Sequence, residues 1–191
     1  MTNAAGVAAD MMAEYVIGGF LHFTLDINGL QADKAARVWN PRTVAPLTNK
    51  TLLIVGLGHT GRAIAQRAKA FGMTVLGTRA NPQAMENVDE VHGSHDLGDL
   101  LPRADFIAIS TPLTPATRGL IGVDDIAMMQ PGAILADVSR GGVVDQSALE
   151  AALKTGHIAA AVLDVFEVEP LPATSGLWAL QNVIISPHCS S

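Results

Sequence analysis

Residues 51–61 are TLLIVGLGHTG, an apolar run that leads directly into glycines with the spacing G-x-G-x-x-G. The run Thr51–Gly56 is short, apolar and bounded by glycine, which is typical of a buried strand, and a helical spacing of apolar residues follows. In this context Gly56 permits a tight turn, Gly58 lets the backbone approach a pyrophosphate, and Gly61 lets the helix pack close to the strand. The N-terminus of that helix offers unpaired amides and partial positive charge to phosphates. The stretch therefore predicts a dinucleotide-binding turn, and the alternative is a glycine-rich turn that binds no ligand.

Apolar runs of strand length continue along the chain and alternate with segments of helical spacing. The predicted strands lie at residues 51–56, 73–78, 106–109, 133–136, 159–163 and 183–185, and two predicted helices at 62–71 and 146–154. Near-continuous apolar strands separated by helices are typical of a parallel sheet covered on both faces, so we predict an α/β, doubly wound, Rossmann-like fold. Apolar residues at spacings of three and four predict a helix over residues 8–37, which precedes Pro41 and Pro46. The predicted organisation is thus a helical arm at residues 1–40 and a dinucleotide-binding domain at residues 41–191.

Composition limits the classes of protein that the chain can belong to. Its 191 residues are 49% hydrophobic and 16% charged, which supports a folded core rather than disorder. A formal net charge of −6 argues against a nucleic-acid partner, and the single cysteine, Cys189, excludes an internal disulfide and a multi-cysteine zinc site. The chain has no apolar stretch of membrane-spanning length, and Lys34 is its first basic residue. We therefore expect no signal peptide, no membrane partner and a cytoplasmic location.

The end of the second predicted strand indicates which dinucleotide is preferred. NAD sites usually carry an acidic residue there for the ribose hydroxyls, whereas this chain has Thr78, Arg79 and Asn81. A guanidinium suits a 2′-phosphate, and the two neighbouring polar side chains could add hydrogen bonds. We predict NADP as the cofactor with NAD as the alternative; otherwise Arg79 is a solvated surface charge. Within the glycine turn, His59 and Thr60 are candidate phosphate contacts, although for His59 an exposed position without a role is favoured.

Unusual polar residues follow three later strands. Arg140 follows the strand at 133–136, Asp164 and Glu169 follow the strand at 159–163, and His188 follows the last strand. Because the carboxyl ends of parallel strands meet at one edge, these residues should converge with the glycine turn. Arginine can bind a carboxylate and polarise a carbonyl, histidine can protonate a forming alkoxide, and a nearby carboxylate would keep the imidazolium charged. This set suits hydride transfer to a 2-keto acid; the alternatives are a helix-cap cluster, a surface ion pair and a histidine with purely structural partners.

These segments, in this order, resemble the D-isomer-specific 2-hydroxyacid dehydrogenases. The matching stretches are Leu53–Gly61, Pro112–Ile121, Asp137–Asp145, Asp164–Pro170 and Ser186–His188, together with Thr2–Ala4. The resemblance implies that Arg140 binds the substrate, that His188 is the acid/base and that Glu169 is its partner. It also implies cofactor contacts at Thr111, Pro112, Thr117, Ser139, Asp164 and His188, with Asp164 on the nicotinamide carboxamide.

Two relatives within this fold bear on the choice of reaction. Arg79 resembles the NADPH-preferring glyoxylate/hydroxypyruvate reductase branch, so we expect reduction of a small 2-keto acid to its D-2-hydroxy acid. Formate dehydrogenases are similar in fold, but they usually pair the histidine with glutamine, whereas this chain has Glu169.

The chain departs from the family's pattern in two ways. The family has a second, substrate-binding domain that this chain is expected to lack, so we expect cofactor binding with poor turnover; a non-catalytic NADP(H)-binding module is the alternative. Asp137 stands where the family commonly has asparagine, and its carboxylate could compete for Arg140.

The resemblance makes residues 1–40 an interdomain and dimerisation region, so a homodimer is expected. Met12, Tyr15, Phe20 and Phe23 lie on one face of the predicted arm. In an isolated monomer this face would be exposed and would favour association, unless it packs into the chain's own core.

Overall fold

A single parallel sheet lies at the centre of the computed structural model, which describes residues 7–191; the matching stretch Thr2–Ala4 lies outside the described residues. The strands are β1 (Thr51–Val55), β2 (Thr74–Thr78), β3 (Glu90–His92), β4 (Phe106–Ile109), β5 (Ala133–Asp137), β6 (Ile158–Leu163) and β7 (Val183–Ile185). Their spatial order is β3-β2-β1-β4-β5-β6-β7. The order reverses between β1 and β4, which creates the switch point where doubly wound folds bind ligands. The predicted fold is confirmed, and β3 is an additional short strand.

Helices cover both faces of the sheet. They are α1 (Val7–Thr24), α2 (Ile27–Ala36), α3 (His59–Ala70), α4 (Leu97–Leu100), α5 (Val123–Met128) and α6 (Gln146–Thr155). The prediction of one helix over residues 8–37 is wrong, because Asp26 adopts a left-handed backbone (φ 50°) and ends the first helix. Its carboxylate accepts the backbone N–H of Gly29 at 3.1 Å and so caps the second helix.

The apolar side chains of the strands alternate between two separate hydrophobic layers. Leu53 and Val55 face the layer that contains α4, α5 and α6, whereas Leu52 and Ile54 face the layer formed with α1 and α3. Alternation of this kind follows from the two-residue period of a strand. Because both faces are covered, the central strands are apolar along their whole length, which is why they are recognisable in the sequence.

Helix α1 belongs to the core of the domain. Phe20 is fully buried, and its ring centroid lies 4.9 Å from that of Phe106 in β4. Met12, Tyr15 and Phe23 are partly buried and pack against the same layer. The expectation that this face is exposed in a monomer is therefore wrong, because the helix covers the sheet of its own chain.

Helix α2 and the segment after it are much more exposed than α1. No residue of α2 is buried, and Arg42 forms ion pairs with Asp26, which caps α2, and with Asp33 within it, so the following segment is held against α2. Trp39 is 94% exposed and Val38 is 55% exposed. None of the helices formed by residues 7–191 combines the length and the apolar character that crossing a bilayer requires.

Replacing Phe20 with alanine tests whether α1 is part of the folding unit. Loss of a fully buried aromatic ring should lower the free energy of unfolding by about 3–5 kcal/mol, measured by urea denaturation. The matched control is Leu30→Ala on α2, where the side chain is 43% exposed and the change should be small. Equal, small effects of both substitutions would contradict the packing of α1 described above.

Candidate active site

The pairing register aligns the carboxyl ends of six strands. Along the sheet, Thr78 pairs with Val55, Val55 with Ile109, Ile109 with Asp137, Asp137 with Leu163, and Leu163 with Ile185. The segments that follow these residues therefore leave the sheet at one edge. This edge carries the glycine turn, the segment after β2, Arg140, Asp164 and the segment that contains His188.

The glycine turn has the geometry that a phosphate site needs. Gly56 has φ 106°, and a β-carbon there would lie 2.8 Å from the backbone nitrogen of Thr111. A β-carbon at Gly61 would lie 2.2 Å from the carbonyl oxygen of Gly56, whereas nothing lies within 4 Å of a β-carbon at Gly58. Helix α3 begins at this open glycine without a side-chain cap, so its first amides are free to bind an anion. The turn thus fits a dinucleotide pyrophosphate.

The polar residues of the turn have local partners. His59 is exposed, and its Nδ1 lies 3.2 Å from a guanidinium nitrogen of Arg62, one turn further along α3. The hydroxyl of Thr60 lies 3.5 Å from the sulfur of Met12 on α1. Both side chains lie at the start of α3. That they contact a phosphate remains a prediction.

Arg79 follows the last residue of β2 and lies partly exposed at the same edge. One guanidinium nitrogen lies 3.5 Å from the sulfur of Met85, and Arg79 forms no ion pair with any residue in the 7–191 range. Thr78 is buried and Asn81 is exposed. A positive charge without a carboxylate partner is compatible with a phosphate ligand.

The segment after β4 is closed by the side chain of Thr117. Its hydroxyl donates to the carbonyl oxygen of Pro112 at 2.6 Å and accepts the backbone N–H of Thr114 at 2.8 Å. At the start of this segment, the hydroxyl of Ser110 donates to the carbonyl oxygen of Gly56 at 2.8 Å. These bonds fix Thr111 and Pro112 beside the glycine turn.

Arg140 follows a buried pair of polar residues at the end of β5. The backbone N–H and the hydroxyl of Ser139 donate to one carboxylate oxygen of Asp137, at 2.9 and 2.5 Å. Burial raises the pKa of Asp137 to about 7, although the bonds from Ser139 oppose this change. Arg140 itself is exposed, donates to the carbonyl oxygen of Ser139 at 2.6 Å, and forms no ion pair with the residues described, Asp137 included. Its remaining donors are available to an anionic ligand.

His188 and Glu169 form the predicted pair. Nδ1 of His188 lies 3.1 Å from a carboxylate oxygen of Glu169, whose other oxygen accepts the backbone N–H of Phe166 at 3.0 Å. The bond from His188 and then the bond from Phe166 hold the pKa of Glu169 below its ordinary value. Because Nδ1 is engaged, Nε2 is the imidazole nitrogen left for chemistry. The pair lines a cavity of about 530 Å³ whose other walls include Leu171, Trp178 and Ile185.

Asp164 anchors the segment that carries His188. One of its carboxylate oxygens accepts the hydroxyl of Ser186 at 2.5 Å and the backbone N–H of Cys189 at 2.8 Å; the other accepts the backbone N–H of Ser190 at 3.0 Å. Burial acts to raise the pKa of Asp164, but the bonds from Ser186, Ser190 and Cys189 outweigh it and keep the pKa below its ordinary value. Ser186 also contacts the hydroxyl of Tyr15 at 2.5 Å. The sequence pattern does not reveal this contact, because the two residues are 171 positions apart.

Strand order and the glycine turn together define a dinucleotide-binding domain of the doubly wound class. The family model described as "D-isomer specific 2-hydroxyacid dehydrogenase, NAD binding domain" matches residues 17–190. The chain belongs to this family.

Relatives and solved structures agree with this assignment. D-3-phosphoglycerate dehydrogenase of Methanocaldococcus jannaschii is 40% identical over 193 residues, covering 98% of the chain and 36% of the relative. Glyoxylate reductase of Thermococcus litoralis is 39% identical over 204 residues, covering 100% of the chain and 60% of the relative. A D-isomer specific 2-hydroxyacid dehydrogenase from Xanthobacter autotrophicus, solved with NADPH and MES, has TM-score 0.89 and 38% identity, with 96% of this chain and 58% of that chain covered. The chain thus spans no more than about 60% of these relatives.

The raised pKa of Asp137 predicts a pH-dependent stability. Below its ordinary pKa of 3.8 the carboxyl is protonated whether folded or unfolded, so it does not affect stability. As pH rises from there to about 7, the folded protein retains a proton that the unfolded chain has lost, so the free energy of unfolding falls. Above about pH 7 the free energy of unfolding is lower by roughly 4 kcal/mol in total, at about 1.4 kcal/mol per pKa unit.

Asp137→Asn should remove this dependence, since an amide oxygen can still accept from Ser139 and carries no charge. The variant should therefore be more stable than the natural chain at pH 8 and similar to it at pH 4, as measured by urea denaturation. Asp145→Asn is the control, because the backbone N–H of Ala148 keeps the pKa of Asp145 low and its replacement should not stabilise. A gain for Asp137→Asn that is the same at both pH values would contradict the titration of this carboxyl.

Proposed function

We propose that the chain is the cofactor-binding part of an NADP(H)-dependent reductase, which converts a small 2-keto acid of the glyoxylate or hydroxypyruvate kind to its D-2-hydroxy acid. The observation that carries the proposal is the His188–Glu169 pair, 3.1 Å apart, at the sheet edge that also bears the glycine turn. Relatives named glyoxylate reductase and glyoxylate/hydroxypyruvate reductase B support this reaction class.

The cofactor, when bound, supplies the hydride. The free amides at the start of α3 and the open Gly58 would hold its pyrophosphate. Arg79 would bind the 2′-phosphate of NADP, with Thr78 and Asn81 beside it. Solved relatives with NADPH or NADP support this choice, among them an NADPH-dependent glyoxylate/hydroxypyruvate reductase of Sinorhizobium meliloti with 28% identity and TM-score 0.88.

The substrate would be held and protonated by side chains of this chain. The exposed guanidinium of Arg140 binds the carboxylate and polarises the neighbouring carbonyl. As the carbonyl carbon accepts the hydride, Nε2 of His188 gives its proton to the carbonyl oxygen, which becomes the hydroxyl. Glu169 stabilises the imidazolium through Nδ1 and fixes the orientation of the ring. A module that only binds NADP(H) would not need this pair.

Turnover by the 191-residue chain is expected to be slow. The chain spans no more than about 60% of the relatives compared above, and the family's substrate-binding domain is proposed to supply further contacts to the substrate. Correct orientation of reactants contributes about 7–11 kcal/mol, so losing half of it removes several orders of magnitude in rate. We expect NADPH binding with little reduction of glyoxylate or hydroxypyruvate in an assay at the nicotinamide absorbance band. Robust reduction by this chain would contradict the proposal that turnover needs the substrate-binding domain. Loss of any residual rate in His188→Ala would support the role of that histidine.

The choice of cofactor depends on Arg79. In Arg79→Gln, NADPH should bind about tenfold or more weakly, a loss of about 1.4 kcal/mol, while NADH binding should be little changed. The measurement is a parallel titration with both nucleotides, followed by nicotinamide fluorescence. Lys34→Gln is the matched control, because it removes the same charge from an exposed position on α2. Equal weakening of NADPH binding in both variants would mean that Arg79 acts only through the overall charge of the protein and does not contact the 2′-phosphate.

The exposed segment after α2 supports the proposed homodimer. Val38 and Trp39 are more than half exposed, whereas the apolar face of α1 is buried against its own chain. The association surface is therefore proposed to centre on this segment. Light scattering should report a dimer for the natural chain and a monomer for Trp39→Ser. A monodisperse monomer of the natural chain would refute the proposal.

A further inference from the structure

Three side chains connect helix α1 to the segment that carries His188. The hydroxyl of Tyr15 lies 2.5 Å from that of Ser186, which lies 2.5 Å from a carboxylate oxygen of Asp164. Asp164 and Ser186 are 1% and 7% exposed, so little water can replace these bonds. Neither Tyr15 nor Ser186 has a role in the proposed reaction so far.

The direction of the two hydrogen bonds follows from the chemistry of the groups. The pKa of Asp164 lies below its ordinary value, so at neutral pH its carboxylate can only accept. Ser186 must then donate its proton to Asp164, which leaves the serine oxygen to accept from the phenol of Tyr15. The series Tyr15 to Ser186 to Asp164 therefore has one consistent orientation.

The far end of this series determines the backbone around His188. Asp164 accepts the backbone N–H groups of Cys189 and Ser190, which are the two amides directly after the histidine. His188 has a left-handed backbone with φ 55°, a conformation that residues with a side chain seldom adopt without support from their surroundings. With its backbone held in this way, the imidazole has Nδ1 3.1 Å from Glu169.

We propose that Tyr15 is a positioning residue for His188. Its phenol orients Ser186, Ser186 orients the carboxylate of Asp164, and Asp164 holds the two amides that keep His188 in its left-handed conformation beside Glu169. The inference rests on the proposed function only in naming His188 as the proton donor. The positioning itself can be measured in a protein that carries out no reaction.

The test compares variants that remove single hydroxyl groups. Tyr15→Phe and Ser186→Ala remove members of the series, and Ser186→Thr keeps a hydroxyl at the same position. Thr24→Val removes a hydroxyl of α1 that donates to the carbonyl oxygen of Leu21, outside the series. Two readouts need no activity: the imidazole ¹⁵N signals of His188, assigned with His188→Gln, and the hydrogen-exchange rates of the amides of residues 189 and 190.

In Tyr15→Phe and in Ser186→Ala, the ¹⁵N signals should move towards those of an imidazole without a fixed Nδ1 partner. Exchange at residues 189 and 190 should become about fivefold faster, the effect of losing a hydrogen bond of about 1 kcal/mol. The double variant should add little to either single one, because the residues act in series. Ser186→Thr should restore both readouts, and Thr24→Val should change neither.

Unchanged ¹⁵N signals in Tyr15→Phe, or identical behaviour of Ser186→Thr and Ser186→Ala, would overturn the proposal. Where reduction of a 2-keto acid is measurable, Tyr15→Phe should lower kcat and leave the KM for NADPH unchanged. Failure of the proposed function would appear as no NADPH binding by the natural chain, with the ¹⁵N and exchange results as predicted. Failure of the positioning role would leave NADPH binding intact and would leave the ¹⁵N signals and exchange rates unchanged in Tyr15→Phe and Ser186→Ala.

Discussion

Parallel pairing in register is the constraint on which the site depends. Because hydrogen bonding fixes Val55 beside Ile109, Ile109 beside Asp137 and Asp137 beside Leu163, the polypeptide leaves the sheet at one level along a single edge. Segments that are far apart in sequence are thereby brought next to one another, so that side chains such as Asp164 and Ser186 come into contact. The two apolar layers keep this register, since a slip by one residue would turn every buried side chain to the opposite face.

Two buried carboxylates at this edge have different pKa values because their hydrogen-bond partners differ. Within residues 7–191 the carboxylate of Asp137 accepts hydrogen bonds from Ser139 alone, and burial raises its pKa to about 7. Asp164, at the end of the next strand, accepts from a hydroxyl and from two backbone amides, and these bonds keep its pKa low. Each carboxylate also disfavours the charge of the other, so one ionised and one partly protonated group is the less costly arrangement near neutral pH. The ionised one holds the backbone beside His188.

The sequence was sufficient for most of the fold because buried parallel strands are apolar along their length. It failed for β3, whose three residues Glu90–His92 include two polar ones and which is too short to show a period. It also failed at Asp26, where a left-handed residue divides a helical pattern that has no proline or glycine at the break. Hydrophobic periodicity detects neither the backbone conformation of a single residue nor an edge strand of three residues.

The candidate site was likewise predicted only in part from the sequence. The glycine turn and Arg79 are predicted from motif and residue type, whereas the pairing of His188 with Glu169 is what the resemblance to the family implies. The packing of α1 and the contact between Tyr15 and Ser186 were not predicted, because they join the two ends of the chain and no local spacing records them. Long-range contacts of this kind become visible only once the fold places them.

The most direct test of the dinucleotide site is NADPH binding to Gly58→Ala. A β-carbon at this position meets nothing within 4 Å in the protein and the backbone has φ −81°, so the variant should fold with unchanged stability. It should nevertheless bind NADPH at least about tenfold more weakly, a loss of about 1.4 kcal/mol, because the added methyl occupies the space of the pyrophosphate. Undiminished binding by a fully folded Gly58→Ala would contradict the assignment of the glycine turn as the phosphate site.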